Sequence, residues 1–246
     1  VAKTVTYADV LSMISRNITR GTEDALAATI CNLATDQIWN RYDWRESLTV
    51  LPPFFPIPNE QDHGTPFVMV PSDFLGLRYM WLSRVDSSPA FKFDPLGILK
   101  DLPLTHVRDL PRSVSYRPEV SGFRLFPRFP ENIGCPEYVM EGVYKKRPTK
   151  ITTATLNTLL PFDDLYIRAF LEAMRWAAYD LNQDPRAGAT QSSNGATVET
   201  GQLAIMNNAI DWMAQDQGLN DGNIAISPAE PLVGSGIIYH ASGRFY

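Results

Sequence analysis

The residues that most often carry chemistry are sparse in this chain of 246 residues. Its three histidines, His63, His106 and His240, stand apart, with no His-x-x-x-His or Cys–His spacing that would hold zinc. Cys31 and Cys135 form no Cys-x-x-Cys pair and no disulfide framework, so they read as small buried apolar residues. No serine has glycine at both −2 and +2, and neither Gly-x-x-x-x-Gly-Lys nor Gly-x-Gly-x-x-Gly occurs. The notable acidic pair, Asp163-Asp164, falls at a helix start, where the macrodipole accounts for it. Asn17-Ile18-Thr19 matches a glycosylation sequon by chance. Lys145-Lys146-Arg147 is the basic cluster; it could touch DNA phosphate, and as three charges at a strand end it reads first as a solvated edge that blocks stray pairing. A triad assembled only in space would leave no such trace, but a lone histidine is far more often a surface or loop residue. The expectation is no enzyme, no cofactor and no metal.

Apolar and aromatic residues recur instead. Hydrophobic residues make up 44% and charged residues 20%, a globular composition, and the 19 prolines and 11% aromatics favour extended segments and turns over an all-helical fold. No apolar run approaches the roughly 20 residues that cross a bilayer. The opening VAKTVTYADV lacks a signal-peptide core, so synthesis in the cytoplasm is expected. The net charge of −5 is uneven: residues 151–246 hold 4 basic and 10 acidic groups. Such a segment holds nucleic acid poorly, because tight binding needs Lys and Arg to displace counterions. It could suit a surface that DNA passes; on charge alone, simple solubility is favoured.

Periodicity places these residues. Thr6-x-x-Asp9 resembles a capping box, followed by Tyr7, Val10/Leu11, Ile14 and Ile18 at helical spacing. Gly21 ends that helix, Thr22-Glu23-Asp24 starts another, and Leu26, Ile30, Leu33 and Gln37/Ile38 mark its face, which predicts an antiparallel helical hairpin. From 45 to about 155 the period shortens. Strands are predicted at 67–70, 77–85, 91–93, 113–118, 122–127 and 137–146. In the last, Val139, Glu141, Val143 and Lys145 share one face and Tyr138, Met140 and Tyr144 the other. LPPFFPIPNEQDHGTP (51–66), with five prolines, reads as a projecting loop. A helix capped by Asp163 is predicted over 163–182, with Ile167, Phe170, Met174, Ala177 and Leu181 on one stripe and Ala169, Ala173 and Trp176 on a second, a pattern covered on more than one side by its own domain or a neighbour. The small polar stretch RAGATQSSNGATVE should be mobile. A last helix over 199–217 carries Leu203, Met206, Ile210 and Met213. Beyond it the chain lacks a helical period yet contains GIIYH and RFY, sticky ends that dock on something.

The run GFRLFPRFPEN (122–132) raises a separate question. It could be a rigid loop beside an active site or a turn in a structural sheet. The absence of catalytic patterns favours the turn, with Pro127 and Pro130 stiffening it and withholding backbone donors while Phe126 and Phe129 serve packing or contact.

In order, the helical hairpin, the β-rich middle with FRLFPRFPEN, the strand YVMEGVYKKRP and the helix LLPFDDLYIRAFLEAMRWAA resemble the head-to-tail connector adaptor proteins of tailed bacteriophages. The matching positions are Leu125 to Pro130, Tyr144 to Pro148 and Leu160 to Ala178; CNLATDQIWNRYDWR and VPSDFLGLRYMWL look like the family's second helix and first sheet strands. The likeness covers residues 6–182, and the tail beyond 183 departs from it.

The resemblance and the pattern together give an α+β fold. Residues 1–44 and 156–218 would make a helical bundle, 45–155 an inserted antiparallel β-rich domain, and 219–246 an extended C-terminal arm. The resemblance implies a structural virion protein at the head-tail junction, assembled in the host cytoplasm. It implies a homo-oligomeric ring, twelvefold in relatives, docked on the portal protein above and a tail or nozzle protein below, with genomic DNA passing through unbound and no membrane contact. Partner-binding residues would be Phe54 and Phe55 in the proline-rich loop, Phe126 and Phe129 in the turn, and Ile237, Ile238, Tyr239, Phe245 and Tyr246 in the arm; Lys145, Lys146 and Arg147 would face the channel. The alternatives are another tail-completion or tube component, or a hydrolase with a spatially assembled site.

Overall fold

The computed structural model describes residues 3–18, 24–54, 70–84, 94–98, 109–117, 122–127, 138–193 and 196–219. The fold is mixed α+β. The described residues form two compact units: one from the residues up to Glu46 together with those from Pro148 to Leu219, the other from Ser47–Arg147.

The first unit is organised around one helix. Helices α1 (Tyr7–Ile18), α2 (Asp24–Arg41), α3 (Ile167–Leu181) and α4 (Gly201–Asp216) are its long elements, and α3 packs against each of the other three. The sequence explains this. Ala169, Ala173 and Ala177 form one buried row on α3, and Phe170, Met174 and Ala178 form the next, so small residues let neighbouring helices approach on two sides. These two rows are therefore covered within the unit, whereas Leu181, at the end of the predicted stripe, is 37% exposed and Trp176 is half-buried. Facing the two rows are Tyr7, Val10 and Ile14 of α1, Ile30, Ala34 and Ile38 of α2, and Met206, Ile210 and Met213 of α4. The antiparallel hairpin pattern thus becomes two helices that each pack on α3.

Aromatic rings fill the centre. Phe170 meets Tyr7 edge-on at 6.1 Å and Phe162 at 5.8 Å; Phe162 in turn meets Trp39 at 5.7 Å and Trp44 at 5.5 Å. Such ring pairs add to the burial energy of large side chains. The indole nitrogen of fully buried Trp44 donates to the Ile38 carbonyl at 2.5 Å, so its polar atom is satisfied.

Polar contacts join the two chain segments of this unit. Asn32 donates to the Ile151 carbonyl and accepts from the Ile151 amide, both at 2.8 Å. The Leu160 amide donates to the Val5 carbonyl, and Thr6 bridges to Leu159. Asp164 accepts from the Thr4 amide, the Thr4 hydroxyl and the Val5 amide. The acid expected to serve the helix dipole instead clamps Thr4 and Val5, ahead of α1. Asp163 gives no side-chain cap; a 3-10 turn, Asp164–Tyr166, precedes α3. At α1 the expected reciprocal pair is present, with the Thr6 amide on the Asp9 carboxylate at 2.8 Å and the Asp9 amide on the Thr6 hydroxyl at 3.2 Å.

The stretch expected to be mobile forms regular elements in its described residues. A 3-10 turn, Pro185–Ala187, leads to two antiparallel strands, Thr190–Ser193 and Ala196–Glu199, numbered β8 and β9 below. Asn194-Gly195, the strongest short hairpin signal, stands between them in the sequence. Their base is fixed by glycines: Gly188 has φ +84°, and a Cβ there would lie 1.8 Å from the Thr200 carbonyl oxygen, while Gly201 has φ +64°.

The second unit holds two sheets around one core. Its strands are β1 (Leu48–Phe54), β2 (Phe74–Arg84), β3 (Asp94–Pro95), β4 (Gly97–Ile98), β5 (Ser113–Arg117), β6 (Gly122–Phe126) and β7 (Tyr138–Lys146). One sheet has the order β1-β7-β2-β3 and the other β4-β5-β6. Leu51, Phe74, Leu77, Met80, Met140 and Tyr144 of the first meet Leu96, Val114, Phe123 and Leu125 on the second side of the core. The face predicted for Tyr138, Met140 and Tyr144 is the core face. Residues 51–54 correct the loop expectation: they belong to edge strand β1, and Pro52-Pro53 falls where the register shifts between Leu51 opposite Gly142 and Phe54 opposite Met140. An edge with a bulge tolerates residues that cannot donate to a ladder. The predicted strand at 91–93, and residues 67–69 of the one predicted at 67–70, lie outside the described residues.

Phe170→Asp should destabilise the protein by on the order of 3–5 kcal/mol, read from urea denaturation, because it strands a charge among rings; an unchanged midpoint would contradict the packing. Gly188→Ala should cost on the order of 2 kcal/mol in the same assay, and a neutral result would remove the close approach to Thr200. Hydrogen bonds from the Thr4 side chain, then from the Thr4 and Val5 amides, hold the Asp164 carboxylate below its ordinary range. A group held low in the folded state stabilises fully above its unfolded pKa, about 4, and that stability is lost as pH falls through the folded value. Asp164→Asn should therefore lower Tm at pH 7, and the gap to the parent should close by about pH 2. A gap of equal size at both pH values would show that the carboxylate is not the clamp.

Candidate functional site

Cys31 is fully buried on α2, and burial pushes its thiol up to about 12, which leaves almost no thiolate at neutral pH. Tyr7 is also pushed up to about 12 by burial; the Thr35 hydroxyl donates to the Cys31 carbonyl at 2.7 Å, so the Tyr7 phenol donates to Thr35. No group of three His, Cys, Asp or Glu able to hold a metal is found among the described residues. His63, His106, His240 and Cys135 lie outside them.

The aromatic contact candidates fall into two groups. Phe54 ends β1, opposite Met140, and packs half-buried on the core of its own unit. Phe126 ends β6, half-buried, and its carbonyl accepts from the Arg112 amide at 2.9 Å; the following bond to Pro127 is cis. Both sit at strand ends on a sheet unit with a fixed core. Phe55, Phe129, Ile237, Ile238, Tyr239, Phe245 and Tyr246 lie outside the described residues.

The basic cluster does not form one solvated edge. Strand β7 is interior, flanked by β1 and β2, so it has no free edge to protect. Lys145 is 3% exposed, whereas Lys146 is half-buried and Arg147 exposed. Arg147 is also held in place: its amide donates to the Asp73 carbonyl at 2.6 Å and its Nε to the Phe74 carbonyl at 3.1 Å. Of the three charges, only Arg147 and part of Lys146 are presented at the surface of the subunit.

The surface also carries apolar residues that the sequence reading passed over. Ile205 and Trp212, two turns apart on α4, are 46% and 47% exposed. They lie off the Met206, Ile210 and Met213 stripe that fills the core, and their seven-residue spacing is the sequence signal that could have found them. Leu165 and Met13 are exposed on the same helical unit, and Val50 and Ile98 on the sheet unit. Large side chains left in water on a compact subunit mark surfaces for other proteins when they cluster. No helix among the described residues is long and apolar enough to cross a membrane.

No curated protein matches the chain. The sequence profile described as SU10 adaptor protein matches residues 5–221, which takes in both compact units and every described helix and strand. The resemblance to connector adaptors, drawn from the order of the elements and a few degenerate motifs, is thereby borne out: the chain belongs to the SU10 adaptor protein family, a phage head-tail adaptor family.

Proposed function

We propose that this protein forms an oligomeric ring, twelvefold as in the resemblance drawn above, that joins the portal to the tail and leaves a channel for DNA. Membership of a phage head-tail adaptor family makes it a structural virion protein that interacts with other virion proteins at the head-tail junction. The match over residues 5–221 is the observation that carries the reading, because it spans the fold rather than one motif.

The physical features support the ring. A ring needs heterologous contacts, in which one patch on each subunit meets a different patch on the next and the rotation closes. The exposed apolar residues on both units supply candidate patches. We read the helical unit as a bundle into which the β-rich domain is inserted, with the residues after Leu219, which itself packs in the helical core, as an extended arm. Ile237, Ile238, Tyr239, Phe245 and Tyr246 then contact a neighbouring copy, the portal protein or the tail or nozzle protein, as do Phe55 and Phe129 beside the strand-end rings Phe54 and Phe126. The balance of 4 basic against 10 acidic groups in residues 151–246 suits a surface that DNA passes without trapping. Lys146 and Arg147 are the exposed members of the proposed channel set. The role is structural rather than catalytic, and the particle is assembled in the host cytoplasm.

Deleting residues 224–246 tests the arm directly. The truncated subunit should keep the parent's circular dichroism and Tm yet lose ring formation or portal attachment in native mass spectrometry. Loss of folding, or assembly at the parent's level, would each overturn the arm's role.

A further inference from the structure

The outer face of α4 exposes apolar side chains beside a carboxylate. Ile205 and Trp212 lie along it, with half-buried Ala209 between them. Trp212 stands edge-on to Tyr166, with centroids 6.3 Å apart. The Tyr166 phenol donates to the exposed carboxylate of Asp216 at 2.7 Å, one turn beyond Trp212. Burial and that bond push the phenol up to about 12, and the nearby carboxylate of Glu46 adds to the shift. Glu46 itself has one buried carboxylate oxygen with no hydrogen-bond partner. A buried acceptor left unpaired is costly, and a guanidinium, with its planar fork of donors, is the group best shaped to satisfy it. Helix α4 has no Lys or Arg of its own, and Arg41 beside it is paired with Asp211 at 3.8 Å.

The chain contains a segment of the complementary chemistry. After Arg186 its only Lys or Arg is Arg244, and Phe245-Tyr246 follows directly. We propose that Arg244-Phe245-Tyr246 of an adjacent copy docks on this face, with Arg244 between Asp216 and Glu46 and the two rings against Trp212 and Ile205. The adjacent copy is favoured because a closed ring is held by contacts in which one patch of each subunit meets a different patch of the next; within its own copy the chain turns at Gly218, φ +75°, and buries Leu219 in the helical core. The residues between Leu219 and Arg244 span up to roughly 80 Å when extended, so reach is not limiting. The proposal rests on the ring reading and names one of its contacts.

The test uses the full chain with p-benzoylphenylalanine at position 245, assembled from an equal mixture of light and heavy isotope-labelled copies and irradiated. The expected product is a cross-link from position 245 to residues 201–216, with mixed-isotope peptides that prove two copies. Trp212→Ala and Arg244→Glu should each lower its yield about tenfold, and Asp216→Arg should restore it in the Arg244→Glu chain. Cross-links confined to one copy, cross-links elsewhere, or none from an assembled ring would overturn this docking and leave the ring intact. A chain that stays monomeric before irradiation would overturn both.

Discussion

The fold depends on one constraint: the helical unit is made of two stretches of chain, and neither contains a complete core. Residues up to Glu46 supply α1 and α2, and residues from Pro148 onward supply α3 and α4. Phe170 is the point where the stretches meet, touching Tyr7 from the first and Phe162 from the second, while Phe162 carries the contact on to Trp39 and Trp44. Because these contacts join residues far apart in sequence, ordering the chain between them opposes folding, and the entropic cost must be offset by burial and pairing at the junction. That explains why the junction has both rings and directional bonds. The paired amide contacts of Asn32 with Ile151 and the grip of Asp164 on Thr4 and Val5 fix register where apolar contact alone would allow sliding.

The sheet unit meets a related demand differently. Strand β7 sits between β1 and β2, so both of its edges are paired. Tyr144 shows the consequence: its ring stacks near Phe74 at 5.5 Å while its phenol donates to Asp73 at 2.8 Å. Trp81 donates to its partner across the ladder, Glu141, at 2.8 Å. These pairs fasten β2 to β7, and the ladder of β1 with β7 joins the strand entering the unit to the strand leaving it.

Much of this was legible in the sequence where the signal is local. The stripes of α1, α3 and α4 and the Thr6–Asp9 cap follow from spacing, and the core face of β7 follows from alternation. What escaped was non-local or conditional. Pro52-Pro53 argued against a strand, but that rule concerns ladders that need donors, and a bulged edge does not. The polar composition of 190–199 argued for mobility, while the Asn194-Gly195 signal and the glycine contacts at 188 and 201 argued for a hairpin. The burial of Lys145 depends on which strands flank β7, an order that no local pattern encodes. The apolar face of Ile205 and Trp212 was hidden because the stronger stripe on the same helix drew the reading inward.

Function in this account lies in what the subunit leaves uncovered. The helical rows that suggested a neighbour are filled by the unit itself over Ala169–Ala178, which moves the candidate contacts outward to α4, to the strand ends and to the segments beyond the described residues. The central claim is that these surfaces are covered by copies of the chain and by other proteins of the phage particle. Cryo-electron microscopy of purified infectious particles, with this chain fitted into the density, tests it most directly. The account predicts a closed ring of copies between portal and tail, with Trp212 and Ile205 buried against protein. A particle in which the chain is absent, or sits away from the junction as isolated copies with α4 open to solvent, would contradict it.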